Sequence, residues 1–253
     1  MTNDKLLFDA VTVPELTGHQ LPAELVKYPH VLIAGTTGAG KSVLLRAVVA
    51  ELLRSCSAEF VAIDLKRVEL IQLKSSERLL AYADEPEQVE PILEGVLRLM
   101  EKRYAIMQER REQKYSGTPC YVLIDELADV LAECGRKVEE QLARLARLAR
   151  AADIHLICCT QSPSRSVLRA RIIQNIPARV ALRCGDAIES RQIVGTRGAE
   201  ELPLYGSALV RLPGRMLTRV DELPNVTEDE LGRLIVEANE LTKHADGVQV
   251  ITI

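Results

Sequence analysis

Short runs of apolar residues recur along the chain, and each run is bounded by polar or turn-forming positions. Continuous apolar runs of this length are typical of strands that are buried on both faces of a sheet. The segments between them repeat apolar residues at helical spacing. The predicted strands are residues 30–34, 60–64, 120–126, 154–161, 178–183 and 207–212. The predicted helices are residues 42–53, 86–115, 136–152 and 228–241. This alternation predicts an α/β fold, in which a mostly parallel sheet carries helices on both faces.

The two ends of the chain differ from this pattern. Residues 1–29 contain short apolar pieces that are interrupted by turn-forming residues, which predicts β-turns or a hairpin. The turn-forming residues are Pro14, Gly18, Pro22 and Pro29. Residues 248–253 resemble a short strand. We therefore expect one domain over residues 30–253, with the N-terminal β/turn segment of residues 1–29 packed on it.

The composition agrees with a globular domain and excludes a few classes of protein. Of the 253 residues, 47% are hydrophobic and 27% are charged, which suits one large α/β domain or two small ones. The net charge of −4 argues against a histone-like protein but permits a local basic surface. Because no apolar run could cross a bilayer or serve as a signal peptide, we expect a cytoplasmic protein without a membrane segment. The six cysteines show no C-x-x-C spacing, which favours reduced thiols.

One loop carries the most specific chemistry, because it follows the first predicted strand and precedes the first predicted helix. Its residues are Gly35, Thr36, Thr37, Gly38, Ala39, Gly40, Lys41 and Ser42. The pattern G-x-x-x-x-G-K-S is that of a P-loop, whose backbone N–H groups cradle the phosphates of a nucleotide. We expect Lys41 to contact the β- and γ-phosphates of ATP, and Ser42 to ligate Mg²⁺.

Two carboxylates and an amide follow later strands, where the strands of a parallel sheet meet a ligand crevice. We expect Asp125 to complete the Mg²⁺ shell with Ser42, and Glu126 to orient and deprotonate the water that attacks the γ-phosphate. The alternative for Glu126 is a helix cap, since acidic residues are common in the first turn of a helix. Gln161 would lie beside the γ-phosphate and report its presence.

Further motifs, in the same order, resemble those of the FtsK/SpoIIIE-type DNA translocases. Residues 29–42 resemble the P-H-x-x-x-A-G-T-T-G-x-G-K-S loop of that family. The other similar segments are residues 64–66 (D-L-K, where the family has D-P-K), 100–104 (M-E-K-R-Y), 125–129 (D-E-L-A-D), 149–156 (A-R-A-A-D-I-H-L) and 160–164 (T-Q-S-P-S). The similarity continues through residues 175–179 and 189–193 to residues 198–202, so that it extends over residues 28–215.

The resemblance implies a RecA-like P-loop NTPase core that hydrolyses ATP and moves double-stranded DNA through a homo-oligomeric ring, usually a hexamer. We expect a compact motor, without the transmembrane N-terminus, the extra motor subdomain or the winged-helix tail of larger members. Conjugative coupling ATPases and protein-secretion ATPases share the core and its motifs, and they are the main alternative. A nucleotide-dependent binding module that does not hydrolyse ATP is the second alternative, against which the intact P-loop and its carboxylates argue.

Five arginines are candidates for contacts with DNA or with a neighbouring subunit's nucleotide. Arg165, Arg169 and Arg171 follow the fourth predicted strand, where a loop could project into the pore of a ring and bind DNA phosphates. Solvated charges on a helix are an equally good explanation of them. Arg103 and Arg150 match arginines of the wider translocase superfamily that are thought to reach a neighbour's nucleotide, and a salt bridge is the alternative for each. Aromatic residues are only 3% of the chain, which disfavours base stacking of the kind seen in single-strand binders.

Overall fold

A single mixed sheet organises the computed structural model, which describes residues 16–55, 57–161 and 170–244. The strands are β1 (His30–Ala34), β2 (Glu59–Ile63), β3 (Leu79–Ala83), β4 (Cys120–Ile124), β5 (Ile154–Thr160), β6 (Ala178–Ala181), β7 (Ser207–Arg211) and β8 (Thr218–Asp221). Their order is β3-β2-β4-β5-β1-β6-β7-β8. The strands from β3 to β6 in this order pair in parallel, whereas β7 pairs antiparallel with both β6 and β8. The predicted α/β fold with a mostly parallel sheet is confirmed.

Helices cover both faces of this sheet. They are α1 (Leu21–Leu25), α2 (Lys41–Ser55), α3 (Pro86–Arg110), α4 (Leu127–Glu133), α5 (Gly135–Leu148), α6 (Ala170–Ile173), α7 (Ala187–Val194) and α8 (Glu228–His244). Short 3-10 helices occupy Gly18–Gln20, Ile71–Ser75 and Ala199–Glu201. Successive residues of a strand point to opposite faces, so Val31 and Ile33 pack with α1, α2 and α8, whereas Leu32 and Ala34 pack with α3 to α7. Both faces of β1 are thereby buried.

The described part of the N-terminal segment is helical, where the sequence predicts β-turns or a hairpin. Gly18–Gln20 is a 3-10 helix that leads directly into α1. Pro22 lies in the first turn of α1, where backbone N–H groups have no acceptor within the helix, so the N–H that proline lacks is not needed. The proline therefore favours the start of a helix rather than a turn. Leu21 and Leu25 are fully buried in the core beside α2. Residues 1–15 and the strand predicted at residues 248–253 lie outside the described residues.

His30 fixes the strand that precedes the P-loop to its neighbour in the sheet. Its Nδ1 accepts a hydrogen bond of 3.0 Å from the backbone N–H of Leu156 in β5. Burial, aided by the nearby His155 and Arg150, lowers the pKa of His30 to about 3. The ring is therefore neutral at physiological pH and free to accept this bond, which holds β1 in register with β5.

The described cysteines form no disulfide bond with one another. Cys120, Cys134, Cys158, Cys159 and Cys184 are free thiols, while Cys56 lies outside the described residues. Burial raises the pKa of the Cys158 thiol to about 12 and keeps it protonated. Within the described ranges, no helix is both long and apolar enough to cross a membrane.

Candidate nucleotide-binding site

The P-loop joins β1 to α2 at the carboxyl edge of the parallel strands. Gly38 and Gly40 adopt φ angles of +79° and +92°, a left-handed conformation that side chains disfavour, so these positions suit glycine. A Cβ atom on Gly35 would lie 2.8 Å from Cβ of Leu182, which makes glycine necessary there for a different reason. The loop ends where α2 begins at Lys41. The backbone therefore turns as a phosphate-binding loop requires, with the amino end of a helix behind it.

Both neighbouring strands anchor this loop. The N–H of Gly35 donates to the carbonyl of Thr160 at 3.2 Å, on the β5 side. On the β6 side, the N–H of Thr36 donates to the carbonyl of Arg183 at 2.8 Å. The side chains of Thr36, Thr37, Lys41 and Ser42 line a pocket together with Gly38, Gly40, Val43, Gln161 and Tyr205. Six of the eight predicted cradle residues, all except Gly35 and Ala39, thus line one cavity at the carboxyl ends of the strands.

Lys41 is held by a carboxylate from β4. Its Nζ lies 3.2 Å from Oδ1 and 3.3 Å from the backbone oxygen of Asp125, and both side chains are almost completely buried. Burial alone would lower the pKa of Lys41, but the negative charge around it, including that of Asp125, raises this pKa above its usual value. The lysine therefore stays charged, as a phosphate ligand must.

Glu126 is oriented by three hydrogen bonds. Oγ1 of Thr160 donates to its Oε1 at 2.6 Å, and the backbone N–H of Gln161 donates to its Oε2 at 2.9 Å. The N–H of Ala128 also donates to Oε1 at 3.3 Å, which makes Glu126 the N-cap of α4. The cap alternative is correct as a description of structure, yet the same carboxylate points to the ends of β4 and β5, where the predicted base belongs.

Gln161 connects β5 to the P-loop. Its Oε1 accepts a hydrogen bond of 2.7 Å from Oγ1 of Thr37. Because its backbone N–H also binds Glu126, one residue contacts both the phosphate-binding loop and the predicted base. A change in the loop on nucleotide binding would be transmitted to Glu126 by this short path, which agrees with the sensor role predicted for Gln161.

The residues at this edge fit a Mg²⁺ ion that is shared with phosphates. Ser42 lines the pocket, and Asp125 supplies a buried carboxylate from the adjacent strand. Oδ1 of Asp64, at the end of β2 beside β4, is buried with no hydrogen-bond partner among the described residues. No cluster of three or more His, Cys, Asp or Glu residues forms a cage in the described ranges. Mg²⁺ usually binds through one or two carboxylates, water and substrate phosphates, and Ser42 and Asp125 could supply the protein's share of such a set.

Arg103 occupies a buried structural position, which favours the salt-bridge alternative over contact with a neighbour's nucleotide. Its side chain is only 3% exposed. Nη1 donates to the carbonyls of Ala152 and Asp153 at 3.0 Å each, and Nη2 lies 3.4 Å from Oε2 of Glu59. The guanidinium also lies 4.6 Å from the ring centre of Tyr115. These contacts hold it inside its own subunit, so the salt-bridge alternative describes Arg103.

Arg150 is exposed and lies at the amino ends of the parallel strands, opposite the P-loop. It belongs to the turn between α5 and the amino end of β5, whereas the P-loop adjoins the carboxyl end of that strand. Lys27, Lys114 and Arg147 line the same cleft as Arg150. The structure thus separates Arg150 from the nucleotide site of its own subunit.

The predicted DNA-binding arginines are described only in small part. Arg165 and Arg169 lie outside the described residues. The backbone at Arg171 belongs to the short helix α6. Their contact with DNA stays a prediction.

The structure also reveals partners that the sequence did not single out. The Thr160 hydroxyl donates a hydrogen bond to Glu126, and Tyr205 lines the pocket from a distant segment. Lys66 lies 3.1 Å from Asp129 and 4.0 Å from Glu126. Thr160 is the last residue of β5, which pairs in parallel with β4. Because neighbouring parallel strands end side by side, its position at the strand end is the one sequence signal that could have predicted its contact with Glu126.

Comparison with known proteins places this site in a family. A sequence profile of the FtsK/SpoIIIE family matches residues 2–119 and 110–165. The chain belongs to the FtsK/SpoIIIE family. This match includes the P-loop, Asp125, Glu126 and Gln161, so the site described above lies within the matched residues.

Several relatives within the family are DNA translocases by name. The chain is 36% identical over 248 residues to DNA translocase FtsK of Helicobacter pylori strain J99, which covers 87% of this chain and 28% of the relative. It is 34% identical over 257 residues to DNA translocase FtsK 2 of Ralstonia nicotianae, with coverage of 87% and 33%. For DNA translocase FtsK of Pseudomonas aeruginosa the identity is 33% over 284 residues, with coverage of 95% and 35%. The chain therefore spans 28% to 35% of these relatives' lengths.

Solved structures confirm the fold. The pCW3 conjugation coupling protein TcpA, determined as a monomer with ATPgS, superposes with a TM-score of 0.75 at 26% identity, covering 84% of this chain and 65% of that one. EssC ATPases 2 and 3 of Geobacillus thermodenitrificans superpose with a TM-score of 0.74 at 18% identity, covering 87% and 45%. The RecA-like P-loop ATPase core predicted from the sequence is thus confirmed.

Proposed function

We propose that this chain is the motor of an ATP-dependent double-stranded DNA translocase. The observation that carries the proposal is the assembly of Lys41, Asp125 and Glu126 at one sheet edge, with Glu126 held by the end of the neighbouring strand. Relatives named DNA translocase FtsK, 32% to 36% identical over most of the chain, support the coupling of this site to DNA.

The side chains divide the work of hydrolysis among them. The backbone of residues 35–40 and the Lys41 ammonium bind the phosphates of ATP. Ser42 and Asp125 hold Mg²⁺, which supplies charge neutralisation on the β- and γ-phosphates when it is bound. Glu126, fixed by Thr160 and Gln161, accepts a proton from the attacking water, and Gln161 responds to the γ-phosphate through Thr37.

The motor works as a homo-oligomeric ring, which we propose to be a cytoplasmic hexamer with DNA in its centre. Residues 30–253 act as one motor domain with the preceding residues packed on it. Arg150 contacts the γ-phosphate of a neighbouring subunit's ATP, which its position on the edge opposite its own P-loop supports. Arg165, Arg169 and Arg171 supply the DNA contacts, which are electrostatic and independent of sequence.

An ATPase assay with and without linear double-stranded DNA tests this function. We expect DNA to raise the steady-state rate severalfold, with little dependence on sequence and a steep decrease with salt. Lys41→Ala is the control that removes nucleotide binding. Direct movement is measured by displacement of a third strand from a DNA triplex in the presence of ATP. Hydrolysis that DNA neither stimulates nor couples to strand displacement would contradict the proposal.

A coupling or secretion ATPase is the second candidate, and the likeness to the conjugation coupling protein TcpA favours it. Such an ATPase would respond to a partner protein rather than to naked DNA. The same assay therefore separates the two functions, because an intact site that stays silent with DNA and becomes active with a cognate partner would identify the second.

A further inference from the structure

Tyr205 is an exposed aromatic residue on the wall of the phosphate pocket. Its side chain is 68% exposed, yet it lines the cavity that contains Lys41, Ser42 and Gln161. Among the described residues that line this pocket, Tyr205 alone is aromatic. An aromatic ring left in water beside a phosphate-binding loop lacks the apolar cover that such rings usually have.

The topology of the sheet places Tyr205 there. β6 pairs in parallel with β1, and β7 pairs antiparallel with β6. The amino end of β7, at Ser207, therefore lies at the same edge of the sheet as the P-loop. A single residue, Gly206, separates Tyr205 from Ser207. The φ of Gly206 is +78°, which permits a sharp turn into the strand.

Hydrogen bonds fix both ends of the segment that carries Tyr205. Nη1 of Arg183 donates to the carbonyl of Leu202 at 3.0 Å, and the N–H of Leu223 donates to the carbonyl of Gly206 at 3.0 Å. The carbonyl of Arg183 also accepts the N–H of Thr36 in the P-loop at 2.8 Å. Arg183 thus joins the phosphate-binding loop to the segment of Tyr205, and it sets their spacing.

We propose that Tyr205 stacks on the base of the nucleoside triphosphate whose phosphates the P-loop binds. This inference rests on the nucleotide binding in the proposed function and adds the base-binding side of the same site. Polar groups for the phosphates and an aromatic surface for the base then lie on one pocket, as a nucleotide requires. Stacking on a π-face tolerates any base, so Tyr205 contributes affinity rather than base selection.

Equilibrium binding of ATP and of inorganic tripolyphosphate to the whole chain tests the proposal. Tyr205→Ala should weaken ATP binding about tenfold, because a base–aromatic stack is lost, and should leave tripolyphosphate binding unchanged. Tyr205→Phe should bind ATP like the parent. Leu204→Ala is the matched control, since it truncates the adjacent exposed side chain in the same segment. Equal weakening of both ligands by Tyr205→Ala, or parental ATP affinity, would overturn the proposal.

A spectroscopic variant gives a second readout that does not depend on turnover. The chain contains no tryptophan, so Tyr205→Trp places one indole in the protein. ATP should change its fluorescence through stacking, and tripolyphosphate should not. A parent that fails to bind ATP would refute the proposed function itself. A parent that binds ATP, together with an indole that responds equally to both ligands, would refute only the role of Tyr205. A loss of subunit assembly in Tyr205→Ala with unchanged ATP affinity would place Tyr205 at a subunit interface and would also refute it.

Discussion

At the scale of single residues, the candidate site consists of buried charges that fix one another before any ligand is bound. Asp125 holds Lys41, and the strand end formed by Thr160 and Gln161 holds Glu126. A preorganised carboxylate loses no freedom when water and phosphate arrive, which is the main advantage of fixed polar groups in catalysis. These contacts also define which substitutions remove chemistry without disturbing the fold.

Glu126→Gln should retain nucleotide binding and lose hydrolysis. The amide oxygen can still accept the N–H of Gln161, while the amide nitrogen donates to the Thr160 hydroxyl, so two of the three hydrogen bonds are retained and only the N–H of Ala128 loses its acceptor. Removal of the base should lower the ATPase rate by about 100-fold or more. Binding of a fluorescent ATP analogue and steady-state phosphate release measure the two properties. Lys41→Ala, in contrast, should lose binding as well. A Glu126→Gln protein that hydrolyses ATP at nearly the parental rate would show that the base is another group.

At the scale of elements, the sequence misses β3 and β8, the two strands with the fewest buried residues, and predicts the other described strands. β1, β2, β4 and β5 coincide with continuous apolar runs. β3 lies at the edge of the sheet, where four of its five residues are only partly buried, and its apolar run, LLAYA, consists mostly of leucine and alanine, which favour helices. α4 follows β4 directly and is too short, at seven residues, to show a helical period. These segments are specified by their neighbours in space rather than by their own pattern.

Some residues of the candidate site could be predicted from the sequence, and others could not. The P-loop, Asp125 and Glu126 follow from local spacing, because a motif contains its own chemistry. The donors to Glu126 and the position of Tyr205 depend on strand register and on the antiparallel pairing of β7, which a single sequence does not encode locally. The sequence leaves two roles open for Arg103, because an arginine within a helical pattern says nothing about whether the guanidinium is buried.

Arg103 should matter for stability, since it ties α3 to β2 and to the turn before β5. Arg103→Leu should lower the free energy of unfolding by about 3 kcal/mol, because it leaves the Ala152 carbonyl and Glu59 without their Arg103 donor and removes one of the two donors to the Asp153 carbonyl. Arg150→Ala, at an exposed position, should change it by less than about 0.5 kcal/mol. Urea unfolding of both variants beside the parent measures the difference. Equal stabilities for Arg103→Leu and the parent would contradict the structural role given to Arg103.

At the scale of the whole molecule, the nucleotide site lies at the carboxyl ends of the parallel strands and Arg150 lies at their amino ends. β5 runs between them for seven residues, a rise of about 20 Å, which is farther than an arginine side chain extends. Arg150 can therefore meet a P-loop only on another copy of the chain. A contact between two different surfaces of identical subunits is heterologous, and repeated contacts of that kind form a ring when the rotation between subunits closes. The proposed ring and the proposed donation of Arg150 to a neighbour are thus one hypothesis.

Mixed rings test this hypothesis directly. An Arg150→Ala subunit should bind ATP like the parent because its own P-loop is intact, but homogeneous rings of it should hydrolyse ATP slowly, since an arginine donated in trans contributes a factor of about 10³–10⁵ in other systems. A Glu126→Gln subunit lacks the base and retains its arginine. Where it adjoins an Arg150→Ala subunit in the donating order, one pocket has an intact Glu126 and receives Arg150 from next door. The mixture should therefore show ATPase activity that neither variant has alone, with a maximum near equal proportions. Sedimentation must show that mixed rings form, and an inactive mixture of rings so verified would assign Arg150 to the surface charge of its own subunit.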